Sequence, residues 1–515
     1  MNTNVDISRK TNRLKRLIKY SQNEVEPSYL LLTYSQWWLA AVIGLALSLS
    51  LLPYYVHVSP WIGVSLFFLG ITIVHFRYAC KYIIPFPHMM FGMAILQYVL
   101  AAWISRAYPP VDQIFDIGSD LPHYLKYGTG VIISCAIGLG LGLIGLKTGA
   151  RISFDPNPQL LRCLDCLILV GFFGFALTRF HISGLGFVFV LIGNLRYVGL
   201  FGHMLYRSSG WVWRFALIFT TEILSATNET MFHGVILWAL WGGAFLMFRY
   251  KPSWTVVFGC IVFLLVIILP IQESKWQLRQ NVANYNDASS STKSSMRAFS
   301  NFALWSQFLL DDISKTLGGQ LDKNFVGDVA ARYNQGWIVN KVMQHVPAIE
   351  QYAHGETLKN AAIGALVPRL FYPNKAISGG RFNMEKYAGI VLQEDVSMNL
   401  GYAGEMYANF GFWGGILGCG FFCLTFGLIF KEISVRAFIS PLWWVVLPYI
   451  GTGAINAEDD IVGTINWTFK ACLCMFAVCY IFPIFRRSLF SSNRIGSTFV
   501  SNQEKFRSGF ASDTE

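Results

Sequence analysis

MYANFGFWGGILGCGFFCLTFGLIF, residues 406–430, decides how the rest of the chain is read. Twenty-five consecutive residues carry no charge, and charge resumes at once on both sides, at Glu405 and at Lys431-Glu432. A helix needs about 20 apolar residues to cross the hydrocarbon core of a bilayer. This run is therefore read as a membrane span, and the same pattern recurs along the chain. Further spans are placed near 37–57, 58–76, 89–105, 128–146, 163–178, 182–204, 211–227, 231–248 and 253–271, then near 439–456 and 462–484. Composition agrees: of 515 residues 54% are hydrophobic and only 13% charged, where soluble domains carry about 25% charged residues. That excludes a soluble enzyme with a membrane tag. Aromatic residues reach 16%, as belts of Trp and Tyr at two membrane interfaces require.

Lys and Arg concentrate on the cytoplasmic side of membrane proteins, so charge sets the orientation. The N-terminal segment carries Arg9, Lys10, Arg13, Lys15, Arg16 and Lys19. Placed inside, it groups with Arg77, Lys81, Lys147, Arg151, Arg162, Arg207, Arg214, Arg249, Lys251, Lys431, Arg436 and the five basic residues of the tail, 22 basic residues in all. The short connections on the other side hold three, Arg106, Lys126 and Arg179, and are acidic at Asp112, Asp116, Glu229 and Glu458-Asp459-Asp460. The expected fold is thus all-α: a polytopic integral membrane protein with about 12 transmembrane helices and one large, partly helical extracytoplasmic loop. In this reading 1–36 is a cytoplasmic basic segment, 37–271 holds helices 1–9, 272–405 is the loop, 406–484 holds helices 10–12, and 485–515 is a cytoplasmic tail. No cleavable signal peptide is expected, because the first apolar run starts late and is too long. Residues 9–19 are either an interfacial helix on anionic lipid or a solvated charge cluster.

The formal net charge of +11 does not imply a nucleic-acid partner, since the charges sit at the ends of apolar runs. All ten cysteines fall in or beside spans, so no disulfide framework is expected outside; Cys163-x-x-Cys166 is read as packing. No metal site is expected either. His345, His354 and the outer acids lack ligand spacing on a single element, and Glu458-Asp459-Asp460 reads equally as a solvated turn. There is no Gly-rich phosphate loop of the nucleotide-binding kind, and no cofactor is expected.

The loop 272–405 holds 13 basic and 12 acidic residues, so its charges are individually placed rather than massed. Helical patterns are expected near 297–315 and 325–345, with Pro347, Pro368 and Pro373 as breakers. Arg332, Arg369, Lys375 and Arg381 offer planar forks and a point charge suited to phosphate groups, or form ordinary surface charges and ion pairs. Within the spans, Arg196, Glu222 and Lys470 stand out, because an intramembrane charge costs a few kcal/mol and normally faces a cavity or a partner. Arg196 and Glu222 form either a structural pair or part of a site. His233, alone at the start of the eighth span, reads as a hydrogen-bonded structural residue.

Between 332 and 415 the segments RYNQGWIVNKVMQHVPAIEQYAHGET, LVPRLFYPNKAISGG and NLGYAGEMYANFGFWGGILG resemble the outer loop and following helix of bacterial O-antigen polymerases of the Wzy type. The resemblance rests on Pro368-Arg369 followed by Tyr372-Pro373-x-Lys375, on Gly404-Glu405 ahead of Asn409-Phe410-Gly411, and on the spacing of Arg369 and Gly380. It covers about 85 residues; elsewhere only the architecture agrees. It implies a membrane glycosyltransferase of the inner (cytoplasmic) membrane, both termini cytoplasmic. Such an enzyme moves a growing glycan from its undecaprenyl diphosphate carrier onto the next lipid-linked repeat unit, with a chain-length co-polymerase as a possible partner. Residue by residue it implies Glu405 as base and Arg369 and Arg381 on the diphosphate, with Arg332 and Lys375 supporting. Tyr372, His354 and Arg196 are further substrate-binding candidates. Tyr333, Trp337 and Tyr352 either stack on sugars or pack the loop core, and Glu405 is otherwise an acid favoured at a helix N-terminus. The rival readings are an O-antigen ligase, with the same donor and another acceptor, and a transporter or flippase for lipid-linked sugar. Against the last, the chain shows no two-fold internal repeat.

Overall fold

A computed structural model of the chain describes residues 34–146, 157–180, 185–229, 232–257, 294–318, 323–366, 380–392 and 398–490, with Gly259, Ser274 and Gln277. Every regular element among them is helical. The helices are α1 Tyr34–Ser50, α2 Trp61–Ala79, α3 Phe86–Ala107, α4 Leu121–Gly142, α5 Pro158–Leu177, α6 Gly186–Tyr206, α7 Trp211–Glu229 and α8 His233–Tyr250. Then come α9 Ser294–Leu317, α10 Lys323–Tyr333, α11 Gly336–His345, α12 Glu356–Leu366, α13 Arg381–Ala388, α14 Gly401–Ile439, α15 Trp443–Ile455, α16 Ile461–Ile481 and α17 Pro483–Phe490.

By length and composition seven of these, α2 to α6, α14 and α16, suffice to cross a membrane, and α1 and α15 are apolar but shorter. Such a set associates the chain with a membrane. Helices occupy eleven of the twelve apolar stretches read from the sequence. Of the remaining one, 253–271, only 253–257 and Gly259 are described; the basic segment 9–19 and the tail beyond Phe490 lie outside the described residues. Some boundaries differ. Helix α14 starts at Gly401 and runs on to Ile439, because the backbone ladder continues through charged residues when they pair on its surface. Glu432 and Arg436 do so at 2.7 Å, one turn apart. Glu405 is accordingly a residue of the helix and not the last residue of a loop.

The central packing is α14 along α4. The two backbones meet face to face: a Cβ built on Gly138 would stand 2.1 Å from the Gly420 carbonyl oxygen, and one on Gly142 2.9 Å from Gly427 Cα. Lipid tails are as apolar as leucine, so helices in a bilayer gain most from such close approach of small residues. Near its start α14 is kinked at Gly411 (φ 69°, ψ −163°), a backbone conformation open in practice to glycine alone. The Tyr352 ring fills the space where a Cβ would be, its hydroxyl 3.0 Å from that position.

Helices α9 to α13 gather at one end of the bundle. α10 packs on the last turns of α3, α11 on α14, α12 on α16, α13 on α11 and α9 on α7. Hydrogen bonds fix the docking: the Val111 amide donates to Asp328 Oδ1 (2.8 Å) and Asn334 Nδ2 to the Phe115 carbonyl (3.1 Å). Trp337 is 5% exposed and packs edge-on against Phe115. Trp337 and Tyr352 therefore belong to the packing of this segment, and neither stands free as a sugar platform.

Candidate functional site

At the covered end of the bundle lies a buried polar layer that starts in α3. Residues Leu96–Leu100 form a π-helical turn, whose extra residue takes carbonyls out of the helical ladder. The freed Gln97 carbonyl accepts from the Gln335 amide at 3.0 Å, and the Tyr98 carbonyl accepts from the Tyr124 hydroxyl. The Gln97 side chain spans the link between α15 and α16, donating to Asn456 Oδ1 (3.0 Å) and accepting from the Ala457 amide (2.8 Å). Tyr98 donates its hydroxyl to the Ala457 carbonyl at 2.6 Å. Asn456 Nδ2 donates to Glu458 Oε1 at 2.8 Å, and His233 Nδ1 lies 3.6 Å from that oxygen. Buried polar atoms cost several kcal/mol unless bonded. Here the bonds tie α3, α4, α11 and the α15–α16 link into one layer.

Glu405 sits beside this layer with no exposed surface. Its Oε2 accepts from the Ile461 amide, the first of α16, at 2.8 Å. Asp460 caps the same helix by accepting from the Gly463 amide at 2.6 Å. Two carboxyls thus meet one helix N-terminus, where unpaired N–H groups and the macrodipole favour negative charge. Burial nevertheless pushes the Asp460 carboxyl above its ordinary range, against the pull of the Gly463 amide. Glu405 Oε1 makes no short hydrogen bond among the described residues, and the Thr357 side chain faces this carboxyl. The acidic run 458–460, open in the sequence to a solvated turn, is half-buried: Glu458 accepts from Asn456 and Asp460 caps α16.

One turn on, Asn409 is fully buried and uses its whole amide. Nδ2 donates to Thr357 Oγ1 (2.7 Å) and to the Glu405 carbonyl (2.8 Å), and Oδ1 accepts from the Gly355 amide (2.9 Å). Its own carbonyl accepts from the His354 amide at 3.2 Å. The motif Gly404-Glu405…Asn409-Phe410-Gly411 therefore has a physical content. Glu405 reaches α16, Asn409 pins residues 354–357, and Gly411 bends the helix around Tyr352.

The other sequence candidates separate. His354 is exposed and, among the described residues, is joined to Glu405 through Asn409. Arg332, at the end of α10, is exposed; so is Arg381, the first residue of α13, whose Nη2 lies 3.4 Å from the Leu392 carbonyl. Neither arginine bonds to Glu405 among the described residues. Arg369, Tyr372 and Lys375 lie outside the described residues. Arg196, 2% exposed, is ion-paired with Glu222 across α6 and α7, its guanidinium 3.9 Å from the centre of the Phe175 ring. Its charge is met inside the protein by Glu222, the pairing the sequence anticipated. The Lys470 ammonium lies 4.6 Å from the centre of the Phe187 ring. Gln97, Gln335 and Asn456 went unnoticed in the sequence. A lone Gln in the apolar run 89–105 is the one signal that pointed to them.

A family model described as a domain of unknown function (DUF8712) matches residues 195–439. That stretch opens within α6 and closes with α14, taking in Arg196, Asn409 and Glu405 and stopping short of Asp460. Comparison with the curated proteins and with the solved structures gives no match.

Proposed function

We propose that this protein is a polysaccharide polymerase of the bacterial inner membrane. It has twelve spans and cytoplasmic termini, and it joins undecaprenyl-diphosphate-linked repeat units on the outer face. The observation that carries the reading is Glu405, a wholly buried acid at the bundle end where α9 to α13 assemble, met by the Ile461 amide and the Thr357 side chain and by no cation among the described residues. An acid kept in such a place at a cost to stability is a standing candidate for proton transfer. The sequence resemblance across 332–415 supplies the reaction class. The acceptor hydroxyl oxygen attacks the anomeric carbon of the donor glycan. The bond from that carbon to the diphosphate oxygen breaks, its electron pair leaves with the lipid diphosphate, and the hydroxyl proton passes to Glu405. Arg369 and Arg381, with Arg332 and Lys375, hold the departing diphosphate, whose charge fixed cations stabilise.

Thr357 at the start of α12 and the first amide of α16 close around Glu405. The reading therefore requires α12 to lift from α16 when a sugar enters. A second reading is favoured by the bond to Ile461: Glu405 as a structural acid that completes the start of α16. Glu405→Gln separates the two, since an amide oxygen can still accept from Ile461 but cannot take a proton. In a deletion strain complemented with wild type, Glu405→Gln or Arg369→Ala, at matched membrane levels, surface glycan is resolved by gel. Collapse of the ladder to single repeat units in the deletion and in both variants is expected. A wild-type ladder with Glu405→Gln returns Glu405 to the structural role. Long glycan stranded on its lipid carrier in the deletion identifies a ligase, and an unaltered ladder there overturns polymerisation.

A further inference from the structure

At the opposite end of the bundle α14, α15 and α16 leave an apolar groove of about 640 Å3, floored by Leu428, Ile450, Thr468, Cys472, Met475 and Phe476. That volume falls within the range of about 300–1,000 Å3 typical of ligand sites. Helix α17 folds back across one end of it. The Ser440 hydroxyl donates to the Ser488 carbonyl (2.6 Å) and the Trp443 indole N–H to the Leu489 carbonyl (3.1 Å). The sequence of α17, PIFRRSLF, buries Phe485 and Leu489 and leaves Arg486, Arg487 and Phe490 exposed, the pattern of a helix lying in a membrane interface. Groove and interfacial helix meet at Trp443, Arg436 and Arg486. Arg436 is paired with Glu432 and lies 5.1 Å from the centre of the Trp443 ring. Arg486 makes no ion pair among the described residues.

We propose that this groove holds an anionic phospholipid, one acyl chain lying between α14 and α16 and the phosphate resting on Arg486 and Arg436. Three features select that occupant over others. Two of its three walls, α14 and α16, are apolar helices of membrane-spanning length, so the groove faces hydrocarbon, where an aliphatic chain fits without leaving polar groups unbonded. The mouth is basic on balance, with Arg436 and Arg486 against Glu432, which selects an anionic head over a zwitterionic one. Trp443 and the amphipathic α17 place that mouth at headgroup depth. This site lies at the far end of the bundle from Glu405 and stands whether or not the chain polymerises glycan.

The test is native mass spectrometry of the full-length protein, delipidated in detergent and titrated with dioleoylphosphatidylglycerol or dioleoylphosphatidylcholine. Wild type is expected to bind the anionic lipid the more tightly. Each arginine at a charged surface contributes about fivefold, so Arg436→Gln/Arg486→Gln together weaken phosphatidylglycerol by about 25-fold and leave phosphatidylcholine unchanged. Cys472→Trp, which fills the groove, is expected to weaken both lipids, and Leu428→Trp repeats the block from the facing wall should the first variant fail to fold. Equal affinity of wild type for the two lipids, or a double arginine variant with unaltered preference, overturns the proposal. So does unaltered binding in the folded groove-filling variants, or tighter binding of undecaprenyl phosphate than of phosphatidylglycerol.

Discussion

Gly138→Ala adds one methyl group where α4 meets α14, and the structure gives its cost. The new Cβ would stand 2.1 Å from the Gly420 carbonyl oxygen and 3.0 Å from both the Gly420 carbonyl carbon and the Leu424 amide nitrogen. All three are backbone atoms, so no side chain can rotate aside. Ordinary contact begins near 3.4 Å, so the two helices must separate locally by about 1.3 Å, the difference from 2.1 Å. Overpacking of this kind costs about 1–3 kcal/mol, and separation also loosens Gly142 against Gly427 on the same face. Gly140 supplies the control: two residues along the same helix, its Cβ position has nothing within 4 Å. Alanine there gains helix propensity of up to about 1 kcal/mol relative to glycine. Both variants receive that gain, and only Gly138→Ala meets the clash. The expected difference between them is about 2 kcal/mol, a gap of roughly 2 °C in apparent melting temperature for a chain of this length. It is read by fluorescence-detected gel filtration of heated, detergent-purified protein at one heating rate, because unfolding of such a protein is governed by rate. Equal melting of the two variants, or Gly138→Ala above Gly140→Ala, would refute the close packing of α4 on α14.

Asn409→Ala removes three hydrogen bonds from a wholly buried amide and strands the Gly355 N–H, at a cost of about 2–4 kcal/mol. Residues 353–357 should then become accessible to protease in folded protein, and a wild-type digestion pattern would count against the docking role. Arg196→Ala leaves Glu222 without its partner and costs about 3–5 kcal/mol, whereas Arg196→Met/Glu222→Gln recovers most of that loss. Melting of the double variant below the single would show that the pair contributes net stability of its own. Burial raises the Asp460 carboxyl above its unfolded value, so the stability it contributes is complete below about pH 4 and is lost as pH rises through the folded value. Asp460→Asn keeps an acceptor for the Gly463 amide and is expected to melt higher than wild type at pH 7.5 with little difference at pH 4. A lower melting temperature at pH 7.5 would contradict it.

The sequence by itself determined the class of the molecule. Uncharged runs such as 406–430 are local properties, and in a bilayer a helix is the structure that satisfies its own backbone without partners. Helices accordingly stand where the apolar runs stand, and the loop patterns near 297–315 and 325–345 became α9, α10 and α11. The motif Gly404-Glu405…Asn409-Phe410-Gly411 likewise marks, in sequence, the three residues Glu405, Asn409 and Gly411. What only the tertiary structure decided is where polar atoms find one another. Gln97 and Asn456 are 359 positions apart, and nothing local to either records that a π-turn in α3 faces the link between α15 and α16. Glu405 reads in sequence as an acid at an outer mouth. Its burial depends on α12 and α16 closing over it, contacts made by segments 48 residues before it and 56 after, counted from Thr357 and Ile461. Arg196 and Glu222 show the same limit: their charges are visible in the sequence, but whether they neutralise each other depends on the rotation of α6 against α7. Hydropathy fixes which segments are helical, because that energy is additive along the chain. Hydrogen bonding and charge pairing depend on pairs of residues, and the pairs are set by packing.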